Sequence, residues 1–224
     1  MFFHYQLSII HYQLSAKMKG LLFITHQTDR ISYLQSVQIV LEGGCRQIQL
    51  RMKDSPADEV LQTSVEAKKL CDKYNALLYI DDYVEICKTV NATGVHLGKL
   101  DMLPAEARKI LGSNFIIGGT ANTFDDIVAL NKQGVNYIGL GPFRFTETKK
   151  NLSPILGLQG YSGIIKKCSE NNINLPVLAI GGITVSDIPA VMQTGVSGIA
   201  LSSTILNAEN PIEETRKIVQ SIEI

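Results

Sequence analysis

Short apolar runs alternate with amphipathic stretches at a regular pace from Leu21 to the end of the chain. The runs are LLFITH (21-26), CRQIQLR (45-51), ALLYIDD (76-82), TGVHLG (93-98), FIIGGTA (115-121), VNYIGLG (135-141), PVLAIGG (176-182) and SGIALSS (197-203). Each is rich in Val, Ile, Leu or aromatic residues, the signature of strands buried on both faces of a parallel sheet. Between them the spacing predicts helices with punctuated ends. Ser55 is placed to cap a helix that Pro56 begins, and Asp101 precedes a helix that stops at Gly112. Thr123 precedes one that ends at Gly134, Thr184 and Ser186 open another, and Pro211 opens the last. Strand-helix units of roughly 25 residues predict right-handed βαβ connections. Eight of them in about 205 residues predict a single-domain α/β fold, a (β/α)8 TIM barrel over 18-224, rather than a doubly wound open sheet.

The first residues break this rhythm. HYQLS occurs at 4-8 and again at 11-15, and neither a basic leader region nor a strong apolar run accompanies it. Residues 1-17 are therefore read as a disordered extension, and the ordered chain as starting at Met18. No apolar run reaches the about 18 residues that span a bilayer.

Lysine plus arginine and aspartate plus glutamate number 21 each, so no net field draws this chain to nucleic acid or acidic lipid. An anion site must be local. Cys45, Cys71, Cys87 and Cys168 stand far apart, which argues against a zinc site or a disulfide framework and for buried thiols in a reducing cytoplasm.

In a barrel of this kind the active site lies at the C-terminal ends of the strands. Those ends carry nearly all the candidate chemistry: Gln49, Arg51 and Lys53 after strand two, Asp81 and Asp82 after strand three, His96 and then Asp101 after strand four. Thr120 and Asn122 follow strand five, and Thr146, Glu147, Thr148, Lys149 and Lys150 follow strand six. Gly181-Gly182 ends strand seven and Ser202-Ser203 ends strand eight. Carboxylates and a phosphorylated ligand share a pocket only with a divalent cation between them. Asp82 and Asp101 are suited to hold Mg²⁺ through hard oxygens, while Arg51, Lys53 and Lys149 neutralise a diphosphate. The glycine pair after strand seven and the serines after strand eight suit a second phosphate site.

These motifs, in order, resemble the thiamine phosphate synthase family, a (β/α)8 barrel, over essentially all of 19-222. QLRMK (49-53) is similar to the family's QLR-x-K, IDD (80-82) to I-N-D and GVHLGKLD (94-101) to GVHLG-x-x-D. GPFRFTETKK (141-150) is similar to GP-x-x-x-T-x-TK, and AIGGI and GIALSS complete the set. The resemblance implies a transferase that joins hydroxymethylpyrimidine diphosphate to hydroxyethylthiazole phosphate, or its carboxylated form, and releases pyrophosphate with Mg²⁺. It implies Gln49, Leu50, Arg51, Met52, Lys53, Asp81 and Thr120 at the pyrimidine substrate, with Arg51, Lys53 and Lys149 acting on the departing diphosphate. Asp82 and Asp101 would hold the metal. Thr146, Glu147, Thr148, Gly182, Ser202 and Ser203 complete the substrate set around the thiazole phosphate. No protein nucleophile is needed, so His96 is read as a structural polar residue.

Three positions depart from the family pattern. Asp81 stands where Asn is common, Thr120 where Ser is frequent and Tyr83 where Arg is frequent. A carboxylate at 81 disfavours a diphosphate unless it touches the metal, pairs with a cation or carries a proton. The rival readings are a thiazole tautomerase on the same barrel, which needs a proton-shuttling residue and no diphosphate clamp, and a non-catalytic barrel that binds thiamine precursors, which predicts gaps in the clamp. The sequence leaves the oligomeric state open, a homo-oligomer included.

Overall fold

In the computed structural model, which describes residues 18-145 and 154-222, eight short parallel strands close on themselves in sequence order. They are β1 (Gly20–Ile24), β2 (Gln47–Leu50), β3 (Leu77–Asp81), β4 (Gly94–Leu97), β5 (Ile116–Ala121), β6 (Tyr137–Leu140), β7 (Val177–Ile180) and β8 (Gly198–Leu201). Each overlaps the apolar run that predicted it. The ring closes where Leu22 of β1 registers with Ala200 of β8. The (β/α)8 barrel is therefore present and the open sheet is excluded.

Around it run α1 (Tyr33–Glu42), α2 (Ala57–Lys73), α3 (Val84–Thr89), α4 (Pro104–Leu111), α5 (Phe124–Lys132) and α6 (Gly157–Glu170). A 3-10 turn (Val185–Asp187) leads into α7 (Ile188–Met192), and α8 (Ser203–Leu206) and α9 (Pro211–Ile222) follow β8. The helix starts correct the sequence reading twice. Ser55 makes no cap, because α2 begins at Ala57 with Pro56 before it and no side-chain hydrogen bond. Asp101 lies three residues short of α4 and turns back to accept from the Gly98 N–H at 2.6 Å. Thr123 does cap α5, in a reciprocal box with Asp126.

Strand alternation divides the apolar residues into two cores. The outer one lies between sheet and helices and takes Phe23, Ile48, Leu50, Met52, Ile80, Val95, Ile117 and Ile138 among others. The inner one fills the barrel with Met18, Leu22, Tyr79, Ile116, Tyr137, Leu178 and Ala200. Two large rings fit because β5 leaves space beside them. A Cβ on Gly118 would sit 2.2 Å from the Tyr137 ring, so glycine there is a packing requirement.

All four cysteines are free and buried. Burial pushes the thiols of Cys71 and Cys87 up to about 12, which leaves them packing groups without reactivity. No described helix is long and apolar enough to cross a membrane.

Candidate active site

Above the two inner rings the barrel lining turns polar, because the inward positions nearest the strand ends are Gln49, Asp81, His96 and Thr120. Gln49 is 3% exposed and Asp81 8%, so their polar atoms must find partners inside. Gln49 Nε2 donates to Asp81 Oδ1 at 2.5 Å, and Arg51 Nε pairs with Asp81 Oδ2 at 3.5 Å. The carboxylate that the sequence reading set against diphosphate binding is thus matched by a cation, and it ties Gln49 to Arg51. Thr25, which the sequence reading passed over, fixes Arg51 from behind. Its hydroxyl donates to the Arg51 carbonyl at 3.0 Å and accepts from the Arg51 N–H at 2.8 Å. Its place at the end of β1 was the available signal.

Leu50 and Met52 face the other way. Both are buried in the outer core, so only their backbones are available to a ligand from within the QLRMK run. Lys53 is exposed just beyond.

Asp82 follows with a left-handed backbone, φ 66°, a conformation that aspartate tolerates better than most residues. Its N–H donates to the His96 carbonyl at 2.9 Å, which sets it over the end of β4. The Asp101 carboxyl is among the groups whose charge acts on Asp82. Burial, then the charge of Asp81, then Asp101 push the Asp82 carboxyl up to about 8, against the opposing pull of Lys53. Two carboxylates so placed cannot both ionise freely unless a cation stands at them. Their hard oxygens fit Mg²⁺, which takes one or two carboxylates and fills its other positions with water and phosphate oxygens. Among the described residues no group of three metal-binding side chains gathers.

His96 is 8% exposed and uses both ring nitrogens: Nδ1 meets the Tyr137 hydroxyl at 3.0 Å and Nε2 meets Thr120 Oγ1 at 2.9 Å. Burial holds the Tyr137 phenol well above its usual range, so it stays protonated. His96 therefore bridges the Tyr137 and Thr120 hydroxyls, with the donor at each nitrogen set by its tautomer. His96 is thereby a positioning group for Thr120 and not an idle core residue.

On the far side, Gly181 (φ 96°) and Gly182 (φ 69°) turn the chain after β7 in conformations that disfavour side chains. A Cβ on Gly182 would come 2.6 Å from Arg144 Cγ. Ser202 precedes α8 and Ser203 is its first residue, half-buried and exposed respectively. Asn122 donates to the Gly141 carbonyl at 2.5 Å, joining the ends of β5 and β6. Thr146, Glu147, Thr148, Lys149 and Lys150 lie outside the described residues. Gln49, Arg51, Asp81, Asp82 and Asp101 therefore gather on one arc of the rim, while Gly182 and Ser202-Ser203 form a second.

The thiamine monophosphate synthase family model matches residues 21-205. The chain belongs to the thiamine monophosphate synthase family. It is 60% identical to a thiamine-phosphate synthase of Phocaeicola vulgatus over 203 residues, covering 91% of this chain and 98% of the relative. A thiamine-phosphate synthase of Bacteroides thetaiotaomicron is 58% identical over 202 residues, 90% and 97% of the two chains. Among solved structures, a thiamine phosphate pyrophosphorylase from Pyrococcus furiosus superposes with a TM-score of 0.79 at 34% identity, covering 91% of this chain and 96% of that one. The family assignment extends through all eight strands, so both arcs of the rim belong to the shared barrel.

Proposed function

We propose that this protein is a thiamine-phosphate synthase, a transferase that couples hydroxymethylpyrimidine diphosphate to hydroxyethylthiazole phosphate and releases pyrophosphate. The observation that carries the reading is end-to-end similarity to relatives of that name, 60% identical over 98% of the relative's length. The geometry supports it: one arc of the rim carries carboxylates and cations suited to a diphosphate, and the other carries a glycine turn suited to a phosphate.

Arg51 and Lys53 bind the diphosphate, with Gln49 and Thr120 orienting the pyrimidine and Lys149 completing the clamp. Asp82 and Asp101 hold Mg²⁺, which when bound neutralises the diphosphate oxygens and makes them a better leaving group. The bond between the pyrimidine methylene and the diphosphate oxygen breaks with its electron pair going to pyrophosphate. The cation left behind is stabilised by the pyrimidine's own amino group, and the thiazole nitrogen lone pair forms the new bond. The protein's part is to hold both partners in line and supply fixed charge where charge develops. Gly182, Ser202 and Ser203, with Thr146 and Thr148, hold the thiazole phosphate. Unpaired cysteines and small phosphorylated substrates support a cytoplasmic location.

The test is direct. Purified protein incubated with both precursors and Mg²⁺ should form thiamine phosphate and pyrophosphate, and none when either precursor or the metal is omitted. Isomerisation of a thiazole carboxylate phosphate without condensation would overturn the reading in favour of a tautomerase.

A further inference from the structure

The end of β6 and the turn after β7 are fastened together by a residue that no substrate argument requires. Arg144 Nη1 donates to the Gly182 carbonyl at 2.7 Å and to Asp187 Oδ2 at 2.6 Å, while Nη2 donates to Asp187 Oδ1 at 2.9 Å. Its backbone N–H donates to the Gly181 carbonyl at 3.0 Å, and the Phe143 N–H donates to the Ile180 carbonyl at 2.9 Å. The guanidinium also lies over the Phe143 ring, 4.9 Å from its centroid. Asp187 is held in turn. Its Oδ2 accepts from the Thr184 N–H at 2.8 Å and the Thr184 hydroxyl at 2.6 Å.

This arrangement has three physical effects. First, the fork is committed: a bidentate arginine-carboxylate pair fixes the plane as well as the charge of the guanidinium. Second, the peptide joining Gly182 to Ile183 is planar and trans, so a carbonyl drawn toward Arg144 turns the Ile183 N–H the opposite way. Third, both glycines have left-handed backbones with many alternative conformations open to them. A turn of two such residues does not hold one peptide orientation unaided.

We propose that Arg144 is a positioning residue for the phosphate of the thiazole substrate: paired with Asp187, it locks the Gly182 peptide in the orientation that receives that phosphate. This rests on the proposed synthase reading for the identity of the ligand. The pair is partly exposed, with side-chain exposures of 46% for Arg144 and 17% for Asp187, so its contribution to stability is small. Its value is in geometry.

The experiment uses the full chain with Arg144→Met, Asp187→Asn and the double variant. Hydroxyethylthiazole phosphate binding is measured by calorimetry, and both KM values and kcat by turnover. Asp187→Asn keeps an oxygen for the Thr184 N–H, so the change falls on the arginine. Each single variant should weaken thiazole phosphate binding about ten-fold, with the KM for pyrimidine diphosphate and the melting temperature nearly unchanged. The double variant should be no weaker than the singles. If Arg144 instead bound the phosphate itself, Asp187→Asn would free it and leave binding unchanged or tighter, which overturns the proposal. Equal rises in both KM values, or no change in either variant, overturn it too. A wild-type protein that binds thiazole phosphate but makes no product would sink the synthase reading alone, since the binding comparison still stands. Wild-type protein that binds none of it would sink both.

Discussion

At the scale of single residues the site is governed by where charge is allowed to be buried. Asp81 is a carboxylate in a pocket for anions, and it persists there because Gln49 and Arg51 face it across the end of the barrel. Asp82 and Asp101 have no such cation as their main partner, and the proposed function gives them Mg²⁺ to share. Asp82→Ala and Asp101→Ala should each lower Mg²⁺-dependent formation of thiamine phosphate by at least about 100-fold, with circular dichroism unchanged. Full turnover in either variant would remove it from the metal site. The Asp101 change should also loosen its loop, because the Gly98 N–H loses its acceptor.

At the scale of elements, β5 and the turn after β7 show how small residues make room for large decisions. Gly118 admits the Tyr137 ring, whose hydroxyl orients His96 and through it Thr120. Gly118→Ala should destabilise the barrel by about 1–3 kcal/mol or more through overpacking. A denaturant midpoint equal to that of wild type would contradict the tight fit. The Arg144-Asp187 clasp makes a different prediction, about pH. Hydrogen bonding from Arg144 holds the Asp187 carboxyl well below the usual carboxylate range. A depressed folded value contributes stability that is present above the unfolded value, near 4, and is lost as pH falls below it. Asp187→Asn should therefore lose less stability than wild type between about pH 5 and pH 2. Parallel acid limbs in urea titrations would rule out the clasp as a contributor.

At the scale of the whole molecule, the barrel needs a floor as well as a rim. Met18 has no solvent exposure and packs in the inner core with Leu22, Tyr79 and Leu178. Met18→Ala should cost about 2–5 kcal/mol, measured by denaturant unfolding. Removing residues 1-17 while keeping Met18 should leave thermal stability and turnover unchanged. A loss of either would show that the repeated HYQLS segment does more than precede the fold.

Much of this is legible in the amino-acid sequence alone. Runs of six or seven residues at even spacing point to eight strands, since strands buried on both faces are written as short, near-continuous apolar segments. Motif order along those strands placed the clamp residues at their ends, because strand direction in a βαβ repeat puts every C-terminus on one side. Alternation within QLRMK even separates Gln49 and Arg51 from Leu50 and Met52, although only the closed ring shows which pair faces inward. What tertiary structure alone decided is which residues meet across the ring. Asp81 finding Arg51, His96 joining Tyr137 to Thr120, and Arg144 reaching Asp187 are contacts over 24 to 43 residues. A local pattern cannot specify such pairings, because they depend on the curvature that brings separate strands around one axis.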